Sequence, residues 1–207
     1  MLFRSHEMEI CGVDPAHRGR QTNHSMKALG GLMSGEPVSY DCEFFSFEDA
    51  LIKPAPTPRI PMIVGGRSDA AIQRTALLSD GWLGVWCSPQ RYRAVLDEID
   101  ELASTRDNPP VWEHGLQIWA GFGDNDKTAR SHPASQMEAM YQMPFERFDK
   151  YSPFGTPEAV AEFLASYVEQ GCRWLNVKPC AASEEAGLEA IDEVAGLLKR
   201  EFPDLLD

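Results

Sequence analysis

The chain has 207 residues, of which 43% are hydrophobic, and it carries 19 Lys and Arg against 32 Asp and Glu, a net charge of −13. That much apolar material builds a sizeable core in a single domain, while so acidic a balance excludes a nucleic-acid surface and a polybasic membrane patch, both of which need clustered cations. No apolar stretch approaches the ~18 residues of a bilayer span, and Met1 to Glu9 lack the apolar run of a secretory signal. The expectation is a cytoplasmic protein whose partner is a small molecule. In chain order, residues 15–33 read as a helix with Met26, Leu29, Leu32 and Met33 on one stripe, stopped by Gly35 and Pro37. Residues 38–44 alternate apolar and polar side chains as a strand with one wet face does. Pro54, Pro56, Pro58 and Pro61 make the next stretch an extended approach loop.

From there the pattern is regular. A short apolar run at 61–65 precedes a helix over 68–79, and a second run at 82–86 precedes a helix over 89–105. That helix carries Tyr92, Val95, Leu96, Ile99, Leu102 and Ala103 on one face. A third run at 116–122 leads into an irregular stretch around Pro133 and Pro144, then a helix over 157–170 stopped by Gly171. A fourth run at 174–178 precedes a last helix over 183–200. Strand–helix alternation repeated four times predicts an α/β fold of parallel strands with crossover helices. The strands are two-faced. Trp82, Gly84 and Trp86 oppose Leu83 and Val85; Gln117, Trp119 and Gly121 oppose Leu116, Ile118, Ala120 and Phe122; Trp174, Asn176 and Lys178 oppose Leu175 and Val177. An open doubly wound sheet is apolar on both faces. One aliphatic face and one mixed face favour a barrel, with the aliphatic side under the helices and the mixed side in the lumen.

The sharpest motif is Ile63-Val64-Gly65-Gly66-Arg67-Ser68-Asp69-Ala70-Ala71. A strand ends in two glycines, and a Ser-capped helix follows at once. Glycines let backbone amides approach a ligand. A helix N-terminus adds unpaired N–H groups and partial positive charge, and Arg67 adds a full one. The segment is either a phosphate site or a tight βα turn that binds nothing. Trp86-Cys87-Ser88-Pro89 repeats the device, with Ser88 as cap and Pro89 at the first helical position. In a barrel both turns lie at the C-terminal face, where active sites form. Trp86 there covers a planar ring or fills the core, and Lys178 is a second anion ligand or a surface lysine. Thr156-Pro157-Glu158 is explained by capping alone. Glu7 and Glu9 are acid/base candidates or solvated carboxylates. The five Cys are scattered with no C-x-x-C pair, and the five His show no ligand spacing, so neither disulfides nor a metal site is expected.

Taken together, these residues resemble the luciferase-like monooxygenase family, the flavin- and deazaflavin-dependent (β/α)8 TIM-barrel oxidoreductases related to bacterial luciferase. The matching blocks are Glu7-Met8-Glu9-Ile10-Cys11-Gly12-Val13-Asp14, Arg18-Gly19-Arg20, Ser34-Gly35-Glu36-Pro37-Val38, Pro54-Ala55-Pro56, Ile63 to Ser68, Asp80-Gly81-Trp82, Tyr151-Ser152-Pro153-Phe154-Gly155-Thr156-Pro157-Glu158 and Asn176-Val177-Lys178-Pro179. The resemblance implies FMN or coenzyme F420 as cofactor. Gly65 and Gly66 match the family's phosphate loop, flanked here by Arg67 and Ser68, and Trp86, Cys87 and Ser88 match the next cofactor-contacting turn. It implies a redox reaction on a small organic substrate, with reduced flavin reacting with O₂ or a hydride passing to or from deazaflavin. It assigns no catalytic residue. In the family four βα units precede the block that starts here near Glu7, where Met1-Leu2-Phe3-Arg4-Ser5-His6 replaces a glycine-rich strand end. The resemblance therefore reads residues 1–207 as one N-terminally truncated domain holding the last four βα units of a TIM barrel. Such a partial barrel exposes two sheet edges and is expected to form homo-oligomers. The competing expectations are a non-catalytic flavin-binding barrel remnant and a sugar-phosphate barrel enzyme.

Overall fold

The computed structural model describes residues 5–203; Met1 to Arg4, part of the block that departs from the family pattern, lie outside the described residues. The four apolar runs become parallel strands β3 (Ile63–Gly65), β4 (Gly81–Val85), β5 (Gly115–Phe122) and β7 (Trp174–Cys180), each followed by a helix. Before them come α1 (Ser5–Ile10), α2 (Arg18–Leu32) and an antiparallel hairpin of β1 (Val38–Asp41) and β2 (Ser46–Ala50). The strand expected over 38–44 is thus shorter, and Cys42 to Phe45 turn the chain into β2, with the Cys42 N–H donating to the Phe45 carbonyl at 3.1 Å.

The sheet runs β3-β4-β5, and β5 also pairs with β7 along its length and with the two-residue β6 (Phe154–Gly155) at its end. Because β7 occupies one edge of β5 from Gly115 to Gly121, β4 and β6 share the other edge in turn. This is the parallel α/β arrangement of half a barrel, with α3 (Asp69–Leu78), α4 (Pro89–Ala103), α6 (Pro157–Val168) and α7 (Glu184–Glu201) on one face. Between sheet and helices lies the main core, with Ile72, Trp82, Tyr92, Ile99, Leu116, Leu164 and Tyr167 all at or below 1% exposure. The periodic face of α4 is what sequence periodicity predicts, with Tyr92, Val95, Leu96, Ile99 and Ala103 buried. Truncating a fully buried member such as Ile99 to Ala costs about 2–5 kcal/mol in a packed interior.

On β5 and β7 the aliphatic side chains go under the helices, as expected. On β4 the expectation is reversed. Trp82 and Gly84 face α4, where the Trp82 ring lies 5.3 Å from Tyr92. Gly84 sits beside Leu116, and Val85 beside Gln117, on the open face. The physical reason is volume: an added Cβ at Gly84 would stand 2.9 Å from the Tyr92 ring, so glycine here makes room for an aromatic pair inside the core rather than for a ligand.

The stretch read as irregular is also corrected. Residues 126–141 form α5 (Asp126–Tyr141), capped by Asn125, whose side chain accepts from the Thr128 N–H at 3.0 Å. Pro133 sits inside it and cannot donate to the Ala129 carbonyl four residues back. That carbonyl lies so close to Gly121 that a Cβ there would collide with it. No helix among the described residues is long and apolar enough to cross a membrane.

Candidate functional site

Residues 65–68 and 86–88 leave adjacent parallel strands at the same end of the sheet, so their neighbourhood follows from the register Gly65↔Leu83 and the strands' common direction. At the first turn, Gly65 is exposed and has nothing within 4 Å of where a Cβ would stand. Gly66 has φ 126°, a conformation that L side chains adopt only under strain. Ser68 caps α3, its Oγ accepting from the Ala71 N–H at 3.3 Å. The turn is held from below: the Trp82 indole N–H donates to the Gly66 carbonyl at 2.7 Å.

At the second turn, Trp86 takes φ 48°, the left-handed region, which is uncommon for a bulky residue. Ser88 caps α4, accepting from the Arg91 N–H at 3.2 Å, with Pro89 at the first helical position. Arg67 joins the two turns. Its guanidinium donates to the Trp86 carbonyl at 3.1 Å and lies 5.7 Å from the centre of the Trp86 ring. Two helix N-termini with their unpaired amides and an exposed arginine thus converge on one patch.

The candidate residues do not all face it. The Cys87 side chain turns into the core at 5% exposure, and burial pushes its thiol up to about 11 against the opposing pull of Arg67 and Arg91. Its carbonyl accepts from the Tyr167 hydroxyl at 2.6 Å. Cys87 therefore offers a ligand only backbone, and its thiol is no nucleophile at neutral pH. Trp86 is half-buried, packing 4.8 Å from Phe148 and 5.0 Å from Tyr141. The core-filling reading is the one the packing shows: it lies against a small core of Trp119, Met137, Phe145, Phe148 and Cys180, and its indole N–H is closed off from solvent with no acceptor among the described residues. Lys178 stands in register with Trp119 on the open face of β7, exposed, two residues from Asn176, which lies across from Gln117. Near it a cleft of about 480 Å³ runs between Gln136 of α5 and the start of α7 at Ser183. Glu7 and Glu9 sit exposed on α1.

Tyr141, Phe145 and Phe148, which wall the patch, come from the segment that sequence reading left irregular. Their signal was present in the spacing of Ala129, Pro133 and Met137, four apart on the buried side of α5, but a proline inside the run argues against a helix. No group of three or more His, Cys, Asp and Glu among the described residues is placed to hold a metal ion.

A family model described as luciferase-like monooxygenase matches residues 3–132. A protein of Mycobacterium tuberculosis (strain ATCC 25618 / H37Rv), itself uncharacterized, is 34% identical over 163 residues, covering 78% of this chain and 56% of that one. Among solved structures, an F420-dependent secondary alcohol dehydrogenase in complex with an F420-acetone adduct superposes with a TM-score of 0.76 at 14% identity, over 87% of this chain and 62% of that one. The monooxygenase RslO1 from Streptomyces bottropensis superposes at 0.71 with 16% identity, over 97% and 64%. The structural likenesses establish the fold, and the chain spans 56% of the length of its M. tuberculosis relative.

Proposed function

The chain belongs to the luciferase-like monooxygenase family, and on that premise we propose that its two Ser-capped turns hold the phosphate-bearing end of coenzyme F420 or FMN in an oxidoreductase acting on a small organic substrate. The observation that carries this reading is Arg67, which ties residues 65–68 to residues 86–88 and keeps a guanidinium between two helix N-termini. The residues fit an anion. Gly65 leaves open space where a side chain would stand, Ser68 and Ser88 occupy the cap positions, and the first-turn amides of α3 and α4 point outward with the dipole behind them. The F420-dependent dehydrogenase and the monooxygenase that share the fold support the same class of chemistry.

In this reading Gly65 and Gly66 admit the phosphate to the backbone, Arg67 neutralises it, and Trp86 with Tyr141 and Phe148 forms an apolar wall that keeps water from the adjoining ring. Lys178, on the lumen face, balances further negative charge on coenzyme or substrate. Such a coenzyme, when bound, supplies two-electron redox chemistry at its ring, and the protein supplies orientation and control of solvent.

The test is a comparison of ligands that differ by a phosphate. FMN is expected to bind more tightly than riboflavin, and Arg67→Ala to weaken FMN by about tenfold or more, the loss of one charge-assisted bond, while leaving riboflavin unchanged. Equal affinity for FMN and riboflavin, together with no binding of coenzyme F420, refutes the proposal. Binding without turnover on any small organic substrate points to the second reading, a flavin-binding protein without catalysis, which the exposed lumen face around Asn176 and Lys178 favours.

A further inference from the structure

Three large aromatic side chains, Trp82, Tyr92 and Tyr167, lie in the core at or below 1% exposure, and the polar tip of each ends on a backbone carbonyl. The Trp82 indole N–H donates to Gly66 at 2.7 Å, the Tyr92 hydroxyl to Gly115 at 3.2 Å, and the Tyr167 hydroxyl to Cys87 at 2.6 Å. Two of these carbonyls belong to the candidate site, one to each turn. We infer that Tyr167 is a positioning residue for the second turn, the counterpart of Trp82 under the first, that Tyr92 couples the two, and that the amides so aimed at the anion are those of Arg67 and Ser88. The role given to Tyr167 rests on the coenzyme reading above.

In a trans peptide the N–H points opposite to the carbonyl of the same unit, and the cis bonds among the described residues are Lys53-Pro54 and Thr57-Pro58, away from both turns. Drawing the Gly66 carbonyl into the core therefore turns the Arg67 N–H outward, and drawing in the Cys87 carbonyl turns the Ser88 N–H outward. Each then stands at a helix N-terminus, where an anion is favoured. The second turn needs such a hold: Trp86 stands at φ 48°, a conformation that a bulky residue keeps only where its surroundings fix it. Tyr167 is itself fixed, near the end of α6, its carbonyl accepting from the Gln170 and Cys172 N–H groups at 3.1 and 3.0 Å. Burial pushes its hydroxyl up, so it stays a donor. Tyr92 touches both supports. Its backbone N–H donates to the Ser88 carbonyl at 2.8 Å, and its ring lies 5.3 Å from Trp82 and 5.9 Å, edge to face, from Tyr167. Trp82 is on β4, which is paired on both sides, and the two tyrosines are on α4 and α6, so none of these contacts belongs to an edge of the sheet.

Tyr167→Phe keeps the ring and removes the bond to the Cys87 carbonyl. In thiol labelling of the native variant, Cys87 is expected to react about tenfold faster than in the unaltered chain, the opening that one lost hydrogen bond allows, while Cys180, buried in a separate cluster, keeps its rate. A Cys87 that stays shielded, or an equal acceleration of both thiols, overturns the inference. In ligand binding, Tyr167→Phe is expected to lose about fivefold or more in affinity for FMN with riboflavin unchanged. Phe163→Leu, which loosens packing 5.7 Å from the Tyr167 ring on the same helix, is expected to leave the FMN-to-riboflavin ratio where it was; a ratio moved equally by both variants, or by neither, overturns the positioning role. Trp82→Phe combined with Tyr167→Phe is expected to lose less FMN affinity than the product of the two single losses, because both act through Tyr92, and a loss equal to that product overturns the coupling. In the unaltered chain, the Arg67 and Ser88 amide protons are expected to move downfield in NMR spectra with FMN and not with riboflavin; resonances that stay in place overturn their assignment whatever the stability of the variants. The labelling uses no ligand. An unaltered chain that binds neither FMN nor coenzyme F420 therefore refutes the coenzyme reading, whereas a shielded Cys87 in Tyr167→Phe refutes the hold on the turn.

Discussion

His114 makes the stability of this fold pH-dependent in a calculable way. It sits just before β5 at 4% exposure, its Nδ1 accepting the Trp82 backbone N–H at 3.1 Å, so the proton of the neutral ring is on Nε2. The ring stacks on Trp112 with centroids 5.1 Å apart. A second proton would have to displace the Trp82 bond in a desolvated place with Arg93 and Arg173 nearby, and burial first, then those two charges, push the imidazole down from 6.5 to about 4. The sign follows. The unfolded chain binds a proton as pH falls through 6.5 and the folded one does not until about 4, so stability is full above 6.5 and is lost between those values. At 1.36 kcal/mol per pH unit the loss is about 3 kcal/mol, a large share of the 5–15 kcal/mol typical of a domain. The assay is urea denaturation at steps from pH 7.5 to 4 for the unaltered chain and for His114→Asn, which keeps an acceptor near Nδ1 but does not titrate. The variant is expected to lose roughly 1–3 kcal/mol at pH 7 from lost packing and to show a flatter profile between pH 6.5 and 4. Carboxylates are common to both proteins and cancel in the difference. Identical acid slopes in the two refute the reasoning.

Three further outcomes follow from the site. Gly66→Ala places a side chain at φ 126° with the Ala71 methyl 3.0 Å away; it is expected to cost about 1–3 kcal/mol in a denaturant titration and to weaken FMN binding. Trp82→Phe removes the bond to the Gly66 carbonyl and is expected to cost about 1–3 kcal/mol, with an affinity loss for FMN that exceeds any loss for riboflavin. In thiol labelling under native conditions, exposed Cys11 is expected to react first, whereas Cys87, Cys172 and Cys180, all buried and pushed up to about 11, are expected to react only on unfolding; early modification of Cys87 contradicts its placement in the core.

The parts of the fold that local chemistry dictates are legible in the sequence. The α4 stripe, the caps at Ser68, Ser88 and Thr156, and Gly171 as a stop (φ 97°) all stand where residue type and spacing put them. What escapes is decided by tertiary packing. Trp82 and Gly84 look like a lumen pattern, yet they form a socket for Tyr92, because an indole can be wholly buried once its N–H finds the Gly66 carbonyl. Pro133 hides a helix that survives because only one carbonyl loses its partner, and that carbonyl packs over Gly121. For the site, the two turns are readable, but the bridge between them is not. Arg67 and Trp86 lie 19 residues apart, and their contact depends on two strands lying side by side. Tyr141 and Phe148 arrive from a different layer altogether.

The indole of Trp82 has a consequence for how this protein can change. Its ring is part of the interior, while its N–H holds the loop proposed to receive the coenzyme, so substitutions at Tyr92 or Ile72 that reshape the interior would be transmitted to that loop. A survey of variants scored only for coenzyme affinity would then recover positions that never approach the coenzyme, and a stabilising repacking of the interior would carry a toll in affinity. Under that proposal folding and recognition are not separate traits under separate selection; they share one side chain, and adaptation of either proceeds only along paths the other tolerates.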